Sequence, residues 1–369
     1  MQRKKDRSTN SKQLSLTKRL IDRFSKSWND QVGRRLEMCS NPRNYASKLL
    51  MYTYEKEICQ RSQLSLDDIE ELSQPIDAEL FNSWAIDSEE ALYYGAMQEL
   101  LQYCELSSIS MPPMNLGVQH GYVFEICNWE QSKLEKRNLV WSQKLVDMYH
   151  EYTNNQDIYA IGSPFFYAHS ILNKAQIEKE KKRLGKNLLA FPMHSQTHVD
   201  TNYDPNKFLN VLKEERKRFD TVRVCVYWKD VLRGSHKTYL DAGFECVCNG
   251  HLYDPNFLSR QKSLFELADA TISNGMGSHI GYSVFMNKPH NLIEDNFEYV
   301  NIVKGGDAQE LTDVSKKENF NRVKEAFLDN FDYKITKEQR EVIDEFWGIS
   351  DIKTTRQMKD ILINLYNSY

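Results

Sequence analysis

Histidines, glycines and small polar residues in this chain gather just behind short apolar runs, and those positions are where chemistry would be done. The clearest case is the stretch ADATISNGMGSHIGYSVFMNKPHNLI, positions 268–293. An apolar strand, Ala270–Ser273, precedes a turn containing Asn274, Gly275, Gly277, Ser278 and His279. A helix of small residues follows, and Lys288-Pro289 stops it. Glycine lets backbone N–H groups approach an anion, and a helix N-terminus adds partial positive charge, so such a turn can cradle a phosphate. The same residue types also build an ordinary strand-to-helix turn.

Three earlier apolar runs end in the same way. Asn187–Pro192 leads into Met193, His194 and Ser195. The run from Thr221 leads into Trp228, Lys229 and Asp230, and the run from Phe244 into Asn249, Gly250 and His251. In an open parallel sheet, ligands bind beyond the carboxyl ends of the strands, so four such ends define one candidate edge. His194 and His198 stand four apart but lack the glutamate of an HExxH zinc pattern, which argues against metal. Farther upstream, Gln119-His120-Gly121-Tyr122 follows a candidate strand at Leu116. An imidazole at a strand end has a reference pKa near ~6.5 and can take a proton at neutral pH. Glu125 lies close enough in sequence to orient His120 or to act in its place. A histidine that merely orders its loop is the alternative reading.

The elements that must position these residues fall into four stretches. Residues 1–110 read as helical and basic at the front: 1–44 hold twelve Lys/Arg against four acids, leaving −12 on the rest of a chain whose net charge is −4. Ile21, Phe24, Trp28 and Val32 recur there at helical spacing beside Arg19, Arg23 and Arg35. That stripe suits either an interfacial helix on an anionic membrane or a helix packed on its own domain. Residues 111–180 hold candidate strands near 116, 138 and 158. Residues 181–305 hold strands at 187, 221, 244, 270 and 291, separated by helices at 205–218, 234–242, 257–267 and 277–287. Alternation of this kind implies parallel βαβ units, hence an α/β fold with Rossmann-like domains. Residues 306–369 return to helix, with a capping box at Thr336–Gln339, a C-cap at Gly348 and a last helix from about 355 to 366.

Composition narrows the class. Hydrophobic residues at 40% and aromatics at 12% describe a folded globular chain. No apolar run reaches the ~18–20 residues needed to cross a bilayer, and the charged start lacks a leader's apolar core. Seven scattered cysteines suggest reduced thiols in a cytoplasmic protein, and Cys246 and Cys248 are read as facing opposite sides of a strand. An acidic body without a recognition module argues against nucleic acid.

The ordered motifs QHGY, IGSPFFY, LLAFPMHSQT, VCVYW, CNGH and TISNGMGSHIGYSVFMNKP resemble those of GT-B-type glycosyltransferases of bacterial capsule and lipopolysaccharide biosynthesis, across roughly residues 115–295. They are similar also to polymerases that transfer glycerol phosphate, although Gly275-Met276-Gly277-Ser278 stands where those carry a serine pair. The resemblance implies two Rossmann-like domains facing a cleft, a reduced acceptor domain at 111–180 and a donor-nucleotide domain at 181–305. It implies that the C-terminal helices pack back on the first domain. The activity it implies is metal-independent sugar transfer from a nucleotide sugar to a glycan or lipid-linked glycan, without a cofactor; the expected location is the cytoplasm, with the basic N-terminus suited to peripheral contact with the inner face of the membrane. His120 and Glu125 would serve the acceptor. His194, Ser195, Trp228, Asn249, Gly250, His251, Ser273, Asn274, Gly275, Gly277, Ser278 and His279 would hold the donor. A nucleotide-sugar epimerase and a non-catalytic assembly scaffold are the competing readings.

Overall fold

The computed structural model describes residues 61–76, 93–106, 116–127, 137–196, 199–302 and 308–367. The apolar stripe around Trp28, the helix start at Ser88, the 107–115 loop, His198, Cys39 and Cys59 lie outside the described residues.

In chain order the elements are α1 (Ile69–Leu72), α2 (Ala96–Tyr103), β1 (Leu116–Val118), β2 (Arg137–Val140), α3 (Gln143–His150), β3 (Ile158–Ala160), α4 (Lys174–Leu184), β4 (Asn187–Phe191), β5 (Val199–Tyr203), α5 (Pro205–Glu215), β6 (Thr221–Cys225), α6 (Trp228–Leu232) and α7 (Lys237–Asp241). They continue with β7 (Glu245–Val247), α8 (Phe257–Leu267), β8 (Ala270–Ser273), α9 (His279–Phe285), β9 (His290–Leu292), β10 (Phe297–Asn301), α10 (Ala308–Val314), α11 (Glu318–Phe327), α12 (Lys337–Trp347) and α13 (Thr355–Asn367). Strands β1, β2 and β3 form one parallel sheet in that order. A second parallel sheet runs β7-β6-β4-β8-β9, so the strand order reverses beside β4. The chain is therefore α/β, with two parallel sheets facing a cleft and helices before and after them. None of the described helices is long and apolar enough to cross a membrane.

The strand period of two sorts the core into layers. Along β4, Leu188 and Ala190 face one layer, packed on Phe208 and Leu212 of α5. Leu189 and Phe191 face the other, shared with Phe265 of α8, Ile280 of α9 and Trp347 of α12. That second layer continues into Leu116, Val118 and Leu139 of the small sheet, so one apolar cluster joins both sheets. Cys246 and Cys248 lie in the same layer while Val247 lies in the opposite one. Residues two apart in a strand share a face, which corrects the opposite-face expectation.

Two further differences bear on the site. The expected helix over 234–242 is present but shorter, as α7; an additional short helix, α6, precedes it, and Gly234, with φ of +82°, lies in the turn between them. An antiparallel pair, β5 with β10, which the sequence reading did not include among its strands, stands at the cleft edge. The alternation in Val199-Asp-Thr-Asn-Tyr203 was its signal.

Candidate functional site

A cavity of about 560 Å³ lies between the carboxyl ends of the two sheets. Its larger wall comes from the five-stranded sheet. Beyond β4, the His194 ring stacks on Tyr227 at 4.2 Å between centroids, with planes 28° apart. Beyond β6, Trp228 opens α6 and rests 4.2 Å from the ring of His251. Beyond β7, Asn249 and Gly250 line the cavity, while His251 stays behind Trp228. Beyond β8, Gly277, Ser278 and His279 line it, and the His279 ring stacks on Phe191 at 4.5 Å.

Four candidate residues beside these face inward instead. Ser273 donates to the Gly275 carbonyl at 2.9 Å and meets His290 Nε2 at 3.1 Å. Asn274 accepts from the Met193 amide at 2.7 Å and donates to Asp295 at 2.8 Å, tying the β4 and β8 turns together. Gly275 packs so closely on Met193 that a Cβ there would overlap the thioether sulfur. Ser195 Oγ accepts from Arg233 at 3.0 Å and from the Thr201 amide at 3.2 Å. These four, like His251, do not line the cavity; they shape the turns whose neighbours do.

The smaller wall follows β1. Gln119 accepts from the Trp141 amide at 2.7 Å and donates to the Gly121 carbonyl at 2.8 Å, fixing the loop that carries His120. His120 lies edge-on to Tyr93 at 4.7 Å and 6.1 Å from Tyr94. Glu125 also lines the cavity, where its carboxylate accepts from Asn319 at 3.2 Å. Tyr94 closes the space between walls, because its hydroxyl lies 3.3 Å from that of Tyr227.

The electrostatics are those of a nearly neutral aromatic pocket. Among the described lining residues there is no lysine or arginine, and Glu125 is the one carboxylate. Burial holds His279 well below its usual range, with His290 and His194 adding to the effect. Burial, and then Arg61, push His251 down to about 4. The Tyr94 and Tyr227 hydroxyls are raised by burial and stay protonated at neutral pH. Buried polar atoms on lining residues with no hydrogen-bond partner among the described residues include Trp228 Nε1, Asn249 Oδ1 and His279 Nε2. No group of three His, Cys, Asp or Glu among the described residues is placed to hold a metal ion.

The site thus offers flat aromatic faces, a neutral imidazole at His279 and the His120 ring on the opposite wall. It can grip a ligand with planar or C–H-rich faces and take a proton from it at His120. Strand-end reasoning did not find Tyr93, Tyr94 or Tyr227. Tyr227 was within reach, as the residue before Trp228. Tyr94 arrives from the helical region in a left-handed conformation (φ +60°), beside Gly95 packed on the Pro255 backbone. The sequence marks that turn only as Tyr-Tyr-Gly.

No protein-family model matches the chain, and no curated protein matches it. Among solved structures it is similar to the wall teichoic acid polymerase TagF, at 10% identity and a TM-score of 0.35 over 69% of this chain and 63% of that one. A histidine-to-alanine variant of TagF gives 9% identity and a TM-score of 0.38 over 69% and 68%. The chain therefore spans less than two thirds of the first of these structures.

Proposed function

We propose that this protein transfers a sugar from a nucleotide-activated donor to the hydroxyl of a glycan acceptor, without a metal ion. The observation behind this reading is the cavity itself. It sits beyond the carboxyl ends of two facing parallel sheets, with Asn249, Ser278 and His279 on one wall and His120 on the other. Position and chemistry agree with a donor held by the larger sheet and an acceptor presented from the smaller.

In this reading His120 removes the proton of the attacking hydroxyl, and Glu125 with Asn319 holds the acceptor side. The leaving group is received by Ser278 and His279. A neutral His279 can donate from Nε2 to an oxygen that gains charge in the transition state, a preorganised contact that needs no solvent rearrangement. The stacked His194–Tyr227 pair and the Trp228 ring supply flat faces for the donor. Glu125 alone among the described lining carboxylates gives little support to an epimerase, which works with acids and bases around the sugar ring.

Thermal unfolding with UDP, CMP, GDP and CDP compounds, each with and without chelator, tests the donor site. At about a hundredfold excess over Kd, a true donor nucleotide should stabilise by roughly 2.7 kcal/mol and raise Tm by several degrees, with chelator making no difference. No shift with any nucleotide would remove the donor site. Product analysis then separates sugar from glycerol-phosphate transfer, the runner-up reaction.

A further inference from the structure

Behind the Asn249–Gly250 wall lies a charge cluster that the scheme above does not use. Asp254 Oδ2 accepts from Arg61 Nε at 2.7 Å and from Arg260 Nη1 at 2.9 Å. Asp254 and Arg260 are fully buried and Arg61 nearly so. The remaining donors meet carbonyl oxygens: Arg61 Nη2 that of Leu72 at 2.6 Å, Arg260 Nη2 that of Arg61 at 2.8 Å, and Arg260 Nη1 that of Asn249 at 3.1 Å. Arg260 Nε has no hydrogen-bond partner among the described residues. Two guanidinium groups therefore share one carboxylate, and the cluster holds one net positive charge. His251 beside it stays neutral, so it neither adds to nor cancels that charge.

Burying a net charge is costly unless something opposite answers it. The cluster touches the cavity wall directly. Arg260 bonds the Asn249 carbonyl, and a Cβ on Gly250 would stand 2.8 Å from Asp254 Oδ2 and 3.0 Å from Arg260 Nη1. The cavity in front lacks lysine and arginine among its described lining residues, so this is the positive charge nearest that wall.

We propose that the Asn249–Gly250 wall is an anion subsite, charged from behind by the Arg61–Asp254–Arg260 cluster, and that it takes a phosphate or diphosphate oxygen group of the ligand. Asn249 would meet the anion through its Nδ2 donor, its Oδ1 being an acceptor that an anion cannot use, while Arg61 and Arg260 are positioning residues that act through the wall. The inference rests on the cavity being the ligand site, as read above, but not on the ligand being a nucleotide.

Arg61→Met and Arg260→Met each remove one cation and leave Asp254 balanced by the other, so neither strands a buried charge. Calorimetry on the full chain would compare inorganic pyrophosphate, the diphosphates UDP, CDP and GDP, and the corresponding uncharged nucleosides, at low and high ionic strength. Both variants should bind pyrophosphate and the accepted diphosphate about tenfold more weakly, with a shallower salt dependence and unchanged nucleoside affinity. Arg260→Lys should keep most of the affinity. Asp254→Asn, which raises the cluster to two net charges, should tighten pyrophosphate and serves if the methionine variants do not fold. Parent affinity in folded methionine variants, equal loss for nucleoside and diphosphate, or no gain in Asp254→Asn would each overturn the inference. Pyrophosphate binding that depends on the cluster, with no nucleotide or nucleoside bound, keeps the anion subsite and removes the donor reading. Nucleotide binding indifferent to all three positions does the reverse, and a parent chain that binds no anion overturns both.

Discussion

A methyl group added at Gly277 would enter the imidazole ring of His279, a residue that lines the cavity. Gly277→Val should therefore displace that ring and weaken nucleotide binding about tenfold, with little change in Tm, because the glycine's φ is not left-handed and an L-residue fits its backbone. Calorimetry with the accepted nucleotide checks it, and unaltered affinity would separate the turn from the site. His120→Ala should behave oppositely: transfer falls by about 10²–10⁴-fold, the range of a general base, while nucleotide affinity holds. Transfer at a comparable rate would show that His120 is not the base. His120, His194, Trp228, Asn249 and His279 were legible because strand-end position is a local property of sequence. Ser273 and Asn274 looked equivalent, yet their partners, His290, Met193 and Asp295, come from other strand ends and turn them away. Nothing in a local pattern distinguishes a polar residue facing a ligand from one facing a neighbouring turn.

Among the elements, the large sheet and the turns after it carry three histidines, His251, His279 and His290, that burial keeps neutral. His290 at the start of β9 is fully buried, bonded to Thr271 at 2.8 Å and Ser273 at 3.1 Å, and burial pushes it down to about 3. His251 is pushed to about 4, and His279 is held low as well. Each takes up a proton more readily in the unfolded chain, so stability falls as pH drops from ~6.5 toward ~4. The loss is at most about 1.4 kcal/mol per pH unit for each such histidine. His169 runs the other way: its bond to Glu99 at 2.9 Å raises it, so its contribution is present at low pH and fades as pH rises through its folded value. The half-exposed position of His169 makes that term the smaller one. Urea midpoints measured at pH 7, 6 and 5 should decline, and His290→Gln should flatten the decline even if it lowers the midpoint at pH 7. A midpoint independent of pH would contradict the burial of these rings. Helix α8 and the strands starting at Asn187, Thr221 and Ala270 stand where periodicity put them, since each buries an apolar face of its own. The β5–β10 pair escaped because its partners lie about a hundred residues apart, and each strand alone is short and half exposed.

At the scale of the whole molecule, one tryptophan joins the two walls without lining the cavity. Trp347, at the end of α12, donates from Nε1 to the Ser278 carbonyl at 3.0 Å, and its own carbonyl accepts from the Ser163 amide at 3.0 Å. Its ring lies so close to Gly281 in α9 that a Cβ there would overlap it, and Gly348 (φ +68°) packs on the Trp141 carbonyl just behind. The capping box at Thr336–Gln339 and the glycine at 348 announce this helix in the sequence. What it holds is not announced, because Ser163 and Ser278 belong to different sheets and stand far from it along the chain. Trp347→Ala removes a fully buried ring and should cost about 3–5 kcal/mol. Trp347→Phe keeps most of the packing and removes one hydrogen bond, at about 1 kcal/mol. If the tryptophan sets the Ser278 turn against the first sheet, Trp347→Phe should also weaken nucleotide binding by more than its small stability loss explains, with nucleoside and diphosphate affected alike. That equal loss is the signature of a displaced wall, and it separates this residue from Arg61 and Arg260, whose removal should spare the nucleoside. A folded Trp347→Phe protein with parent affinity would mean that each wall is set by its own sheet, and that the C-terminal helices contribute stability alone.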